Sequence, residues 1–168
     1  MFANFKSRYN LTEMKKAFRK YIILSFLFLL VGIQFFGIDK SVPPTDPAKD
    51  FFVVLNPPRR IISMLRSSCY DCHSYKTIYP WYSNIAPVSW ILKSHIEEGR
   101  EHLNFSEFGN YPREKRNQLI FEIREVIEKQ EMPMRSYTLF HEKARIDEGM
   151  KELIVSWLTE GKNAVYTP

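Results

Sequence analysis

Charge-free and charged stretches alternate along this chain in three blocks. From Tyr21 to Ile38 the run YIILSFLFLLVGIQFFGI carries no charge, and its apolar residues would surround every face of a helix. Such a helix rises about 27 Å, close to the hydrocarbon thickness of a bilayer. The pattern predicts one N-terminal transmembrane helix over 21–38. A cleaved signal peptide is the competing reading, but it calls for a shorter apolar run and a small-x-small exit. Gln34-Phe35-Phe36-Gly37-Ile38-Asp39 offers no such exit. Lys40 to Asp50 (KSVPPTDPAKD) then loses all periodicity and holds three prolines, which predicts an extended, semi-rigid linker over 39–50.

Past the linker, apolar positions return at helical spacing. Pro57 and Pro58 open a helix through Arg66 with Ile61, Ile62, Met64 and Leu65 on its inner face. Tyr75 to Pro87 reads as an aromatic, proline-containing loop. Val88, Ile91, Leu92 and Ile96 mark a second helix, with Gly99 as the residue just past its end. Asn104 to Asn110 reads as a polar loop. Pro112 opens the longest helix, striped by Leu119, Ile120, Ile123, Val126 and Ile127 and ended by Met132-Pro133. Asp147 caps a last helix carrying Met150, Leu153, Ile154, Trp157 and Leu158, which Gly161 closes. No strand pattern and no internal repeat interrupts this, so the expected fold is all-α. The helical domain spans 51–162, with a short tail at 163–168.

Charge changes the picture only locally. The net charge of the 168 residues is +5, yet residues 1–20 alone hold six basic residues against Glu13, and the remainder carries 18 of each sign. The excess is a topogenic signal and no polyanion-binding surface, which excludes nucleic acid as a partner on charge grounds. It predicts a cytoplasmic segment 1–20, single-pass insertion in the inner (cytoplasmic) membrane, and the helical domain on the periplasmic side.

The candidate chemistry lies in Ser68-Cys69-Tyr70-Asp71-Cys72-His73. Both cysteines of the chain are here, spaced C-x-x-C and followed at once by histidine. That is the attachment signature of a c-type haem: two thiols for the vinyl groups and an imidazole for the iron. A redox dithiol, a structural disulfide or half a zinc site are the alternatives. The first wants a βαβ context and the last four protein ligands, neither of which the sequence supplies.

For the iron's sixth position Met132 is the first candidate and Met134 the second, since a thioether opposite histidine favours low-spin iron. Ordinary core filling is the other reading of both methionines. His95 reads as a packed helix residue, and His102 and His141 as solvated loop residues. Trp81, Tyr82 and Trp90 would either close a haem edge or fill a core, and Arg59 and Arg60 would either pair with propionates or sit on the surface. No Ser/His/Asp set, phosphate loop or paired carboxylates at a recognisable spacing stands out.

Three blocks, CYDCHSYKTIYPWYSNIAPVSW, HIEEGREHLNFSEF and EMPMRSYTLFHEKARI, resemble the haem-binding domain family of small c-type cytochrome-like proteins. The resemblance covers roughly residues 50–160, in the same block order. It implies a cytochrome c-like helical fold around one covalent haem on Cys69 and Cys72, with His73 as proximal ligand. Its E-M-P block puts Met132 forward as distal ligand, and position 134 more often differs in that family. The expected role is periplasmic electron transfer to a redox partner protein that the sequence does not identify. A haem sensor or peroxidase-like enzyme with an open sixth position is the alternative.

Overall fold

The computed structural model describes residues 11–165, and no strand occurs among them. The all-α expectation holds. Residues 1–10 of the expected cytoplasmic segment and 166–168 of the tail lie outside the described residues.

The described residues divide into two units, the first made of 11–38 with 81–90 and the second of the other described residues. In the first, helix α1 spans Leu11–Ile33. The transmembrane expectation for 21–38 is not met here: no helix among the described residues is long and apolar enough to cross a membrane. Lys15, Lys16, Arg19 and Lys20 fall inside α1, and the charge-free part, Tyr21–Ile33, is about 20 Å long against the ~30 Å of hydrocarbon.

Gln34 sits where the helix stops. Its side-chain amide donates to the carbonyls of Leu30 and Ala86, each at 2.9 Å, and its Oε1 accepts from the Ala86 N–H at 3.0 Å. The Trp90 indole N–H donates to the Phe36 carbonyl at 2.8 Å. The segment Trp81–Trp90 is thereby hydrogen-bonded to the chain that leaves α1. The apolar side chains of α1 are largely exposed, Phe28 at 81%.

The second unit carries the core. Asp50 caps α2 (Phe51–Leu55) by accepting the Phe52 N–H at 3.0 Å, the usual way to satisfy a first-turn donor. Asn56, in the left-handed region at φ 44°, ends it, and Pro57-Pro58 leads into α3 (Arg59–Ser68). A single turn, α4 (Tyr70–His73), follows. Helix α5 spans Val88–His102, α6 Arg113–Glu128, α7 Arg135–Thr138 and α8 Glu148–Val165. The stripe Leu119, Ile120, Ile123 and Ile127 of α6 packs toward Ile154 and Leu158 of α8 in one buried cluster with Phe51, Leu65, Tyr70, Phe105 and Phe108. Asp147 accepts the Met150 N–H at 2.8 Å, as a cap should.

Four local expectations change. The polar loop 104–110 is a buried 3₁₀ turn, Phe105–Asn110: Asn104 Oδ1 accepts the Ser106 N–H at 3.0 Å, and Phe105 and Phe108 enter the core between the satisfied polar groups. Helix α5 continues past Gly99 to His102, so His102 is helical and outside any loop. Helix α6 ends at Glu128, before Met132-Pro133. Gln130 adopts φ 57° there, with Glu131 N–H to Val126 O at 2.9 Å and Gln130 N–H to Ile127 O at 3.1 Å, the paired bonds of a Schellman stop. Helix α8 runs through Gly161 to Val165, because the helix absorbs that glycine instead of ending at it.

Candidate functional site

The C-x-x-C-H segment occupies the break between α3 and α4. Cys69 leaves helical geometry (φ −127°, ψ −36°), still donating its N–H to Leu65 O at 2.9 Å, and the His73 N–H returns to Cys69 O at 3.0 Å. The two thiols and the imidazole thus share one turn. Both cysteines are free and half-buried.

Tyr70, between the cysteines, locks this turn to the core. Its ring stacks between Phe52 (4.3 Å, 13°) and Phe105 (4.9 Å, 7°), and its hydroxyl donates to buried Asp50 at 3.0 Å. Lys76 completes the set with an ion pair to the other Asp50 oxygen at 2.7 Å. Asp71, the second intervening residue, accepts the Ile78 N–H at 2.8 Å and the Tyr137 hydroxyl at 2.6 Å. After the turn, Arg100 donates to Ser74 O and to Thr77 Oγ1, each at 2.9 Å, fastening the following segment to α5.

His73 has a fixed orientation. Its Nδ1 lies 2.9 Å from Gly99 O and 3.2 Å from Leu103 O. Two carbonyls require the hydrogen on Nδ1, which leaves the Nε2 lone pair as the available donor. Burial pushes the imidazole below its ordinary pKa, against those two bonds, and His102 adds to the lowering. A neutral ring with a directed lone pair is what a metal ligand requires.

The ring lines a cleft with two lobes, each of ≈ 190 Å³, whose walls share Ser68, His73, His102 and Met132. Either lobe alone is below the about 300–1,000 Å³ of a ligand pocket, so the shared wall matters. One lobe adds Cys72, His95, Gly99, Met134 and Tyr137. The other adds Cys69 and an apolar lining of Leu103, Phe105, Leu119, Ile123, Val126 and Ile127. An imidazole with a free Nε2, two free thiols and a thioether around an apolar cleft fit a covalently held haem in donor chemistry.

Burial raises both thiols, Cys69 to about 12 and Cys72 to about 11; Cys72's charge adds for Cys69, and Asp71 adds for Cys72 against Arg100. Haem-free thiols are therefore held protonated.

Cys69, Cys72, His73, Met132 and Met134 all come to this cleft, as do His95 and His102. His102 Nε2 lies 3.1 Å from Glu122 Oε2. His141 lies instead on a separate cavity with Arg66, Asp71 and Phe140, its ring stacked on Tyr137 at 4.2 Å. Trp81, Tyr82 and Trp90 belong to the first unit, Trp81 being 75% exposed. Arg59 and Arg60 are exposed and line neither lobe. Among the described residues no group of three or more His, Cys, Asp and Glu side chains is placed to hold a metal ion, so the zinc alternative gains no further ligands there.

Sequence reasoning passed over Tyr70, Asp71, Phe105 and Tyr137. Tyr70 and Asp71 fill the variable positions of the motif, where no pattern marks them. Tyr137 could have been suspected as the aromatic residue beside the methionine block.

The family model for the haem-binding domain matches residues 28–160. No curated protein and no solved structure matches the chain.

Proposed function

The chain belongs to the haem-binding domain family, and on that premise we propose that it is a membrane-attached c-type haem protein that transfers electrons on the periplasmic side. The observation that carries this reading is His73: its Nδ1 is bound to Gly99 O at 2.9 Å while its ring lines the cleft that Cys69, Cys72 and Met132 also line. Each thiol would add its S–H across one vinyl double bond, giving two thioethers and one covalent haem. His73 would hold the iron from Nε2 and Met132 from its thioether, and such ligation supports one-electron transfer with little rearrangement. Leu103, Phe105, Ile123 and Ile127 would keep water from one face of the cleft, which tunes the potential through the local dielectric.

Membrane attachment rests on the charge-free part of α1, Tyr21–Ile33, whose apolar side chains are largely exposed and follow a basic cluster. Such a stretch calls for an apolar surrounding. Alkaline carbonate washing of membranes tests it: the protein should stay in the pellet, and release into the supernatant would overturn the attachment.

Absorption spectra of the matured protein test the haem assignment. Haem staining should survive denaturing electrophoresis, the reduced form should show sharp low-spin bands, and the oxidised form a far-red sulfur-to-iron band. Loss of haem on denaturation would remove the c-type linkage. A second reading, a sensor or peroxidase-like site with an open sixth position, is favoured by one observation: His102 Nε2 lies 3.1 Å from Glu122 Oε2 and both residues line one lobe, which would suit a distal acid–base. High-spin iron and rapid carbon monoxide binding to the reduced protein would select it.

A further inference from the structure

We infer that Tyr137 is a positioning residue that fixes the sixth iron ligand by tying the methionine segment to the C-x-x-C-H turn. The inference rests on the reading of Met132 as that ligand. Asp71, inside the motif, receives the Tyr137 hydroxyl at 2.6 Å and the Ile78 N–H at 2.8 Å on its two carboxylate oxygens. The carboxylate is thus oriented by the chain that follows the motif and offers its second oxygen to α7. Helix α7 is one turn capped by Met134, whose carbonyl accepts the N–H groups of Tyr137 and Thr138, each at 3.0 Å. Tyr137 is therefore fixed to the backbone two residues beyond Met132. Its side chain also lines the same lobe as Cys72, His73, Met132 and Met134.

Met132 needs such a tie. It lies past the α6 stop, not within a helix, and is 36% exposed. Its own N–H makes a long bond of 3.3 Å to Val126 O. A thioether bond to iron is weak enough that the position of its backbone decides whether it stays on. The phenol–carboxylate bond, charge-assisted and short, links the motif turn to the methionine segment on the side of the His141 cavity, which Asp71 and Tyr137 both line.

The experiment compares wild type with Tyr137→Phe, Asp71→Asn and Met132→Ala in the matured, full-length protein. Tyr137→Phe keeps the ring and its stacking on His141 and removes only the hydroxyl. Covalent haem staining should be unchanged in it. The far-red sulfur-to-iron band should weaken, and carbon monoxide should bind the reduced protein about tenfold or more tighter, as expected for loss of a charge-assisted hydrogen bond. Asp71→Asn, which keeps an acceptor oxygen, should fall between Tyr137→Phe and wild type. A Tyr137→Phe protein with lowered melting temperature but wild-type band and carbon monoxide affinity would overturn the inference while leaving Met132 in place. A Met132→Ala protein with an unchanged band would instead overturn the ligand assignment, and the inference with it.

Discussion

His73 Nδ1 and the Gly99 carbonyl lie 2.9 Å apart, and the same glycine brings α5 against the motif turn: a Cβ at Gly99 would sit 3.0 Å from Cys72 O and 3.4 Å from His73 Cε1. A glycine inside a helix costs about 1 kcal/mol relative to alanine. It is kept here because the neighbour is backbone, which cannot swing aside.

Gly99→Ala should therefore destabilise the protein although it improves helix propensity. Crowding costs about 1–3 kcal/mol, so the net loss is about 1 kcal/mol and a few degrees of melting temperature. Alongside the loss, displacement of α5 should lower the yield of covalent haem. A thermal melt with haem staining checks both, and a melting temperature above wild type would refute the close-approach argument.

The raised thiols give a pH signature in the haem-free protein. Cys69 and Cys72 are pushed up to about 12 and about 11 from 9.0, mainly by burial. Between pH 9 and those values the unfolded chain gives up protons that the folded chain keeps, so stability falls as pH rises. It is fully present below pH 9. Urea midpoints should drop from pH 9 to 11, and the Cys69→Ser/Cys72→Ser double variant should flatten the curve. At pH 8 alkylation by iodoacetamide should be about 100-fold slower at Cys72 and about 1,000-fold slower at Cys69 in folded than in unfolded protein.

Much of the fold was legible because it follows from periodicity. The stripes of α3 and α6 fall where the spacing of their apolar residues puts them, whereas α5 buries Leu92 and Ile96 but leaves Val88 and Ile91 exposed, and C-x-x-C-H announces itself by composition alone. Helix ends were harder. Glycine and proline signal stops in the sequence, yet α5 passes Gly99, where tertiary contact leaves no room for a side chain, and α6 stops at Glu128 through Gln130, a residue without the glycine signature. The buried turn at Phe105 was hidden because Asn104 and Ser106 look like loop residues when their partners are unknown. The site showed the same division: ligand types can be read locally, whereas the Tyr70 sandwich and the Asp71–Tyr137 bond join residues 18 to 66 positions apart.

Asp50 should be among the most sensitive core positions. The residue is 3% exposed, and its carboxylate holds the Phe52 N–H, the Tyr70 hydroxyl and the Lys76 ammonium. Asp50→Ala leaves two buried donors without an acceptor and removes the α2 cap, a loss of about 3 kcal/mol. Tyr70→Phe leaves the ring stack and two of the three Asp50 partners, a loss of about 1.5 kcal/mol. Urea denaturation of the two variants should rank them in that order. Equal losses would mean that the Tyr70 bond carries the whole effect.

The two methionines of the E-M-P-M block should behave differently. Met132 lines both lobes of the cleft, whereas Met134 lines one and also caps α7 through its backbone. Met132 borders both spaces that the His73 ring lines, so Met132→Ala should abolish the far-red band. It should also turn the oxidised iron high-spin and open the reduced protein to carbon monoxide. Met134→Ala keeps the backbone cap and the Met132 thioether, and its spectrum should match wild type apart from a modest loss of stability from the vacated volume, about 2–3 kcal/mol at most. Spectra of both variants in both oxidation states decide the matter. A band that survives Met132→Ala and disappears in Met134→Ala would move the sixth ligand to Met134, and a band absent already in wild type would leave the sixth position to His95, His102 or an exogenous ligand.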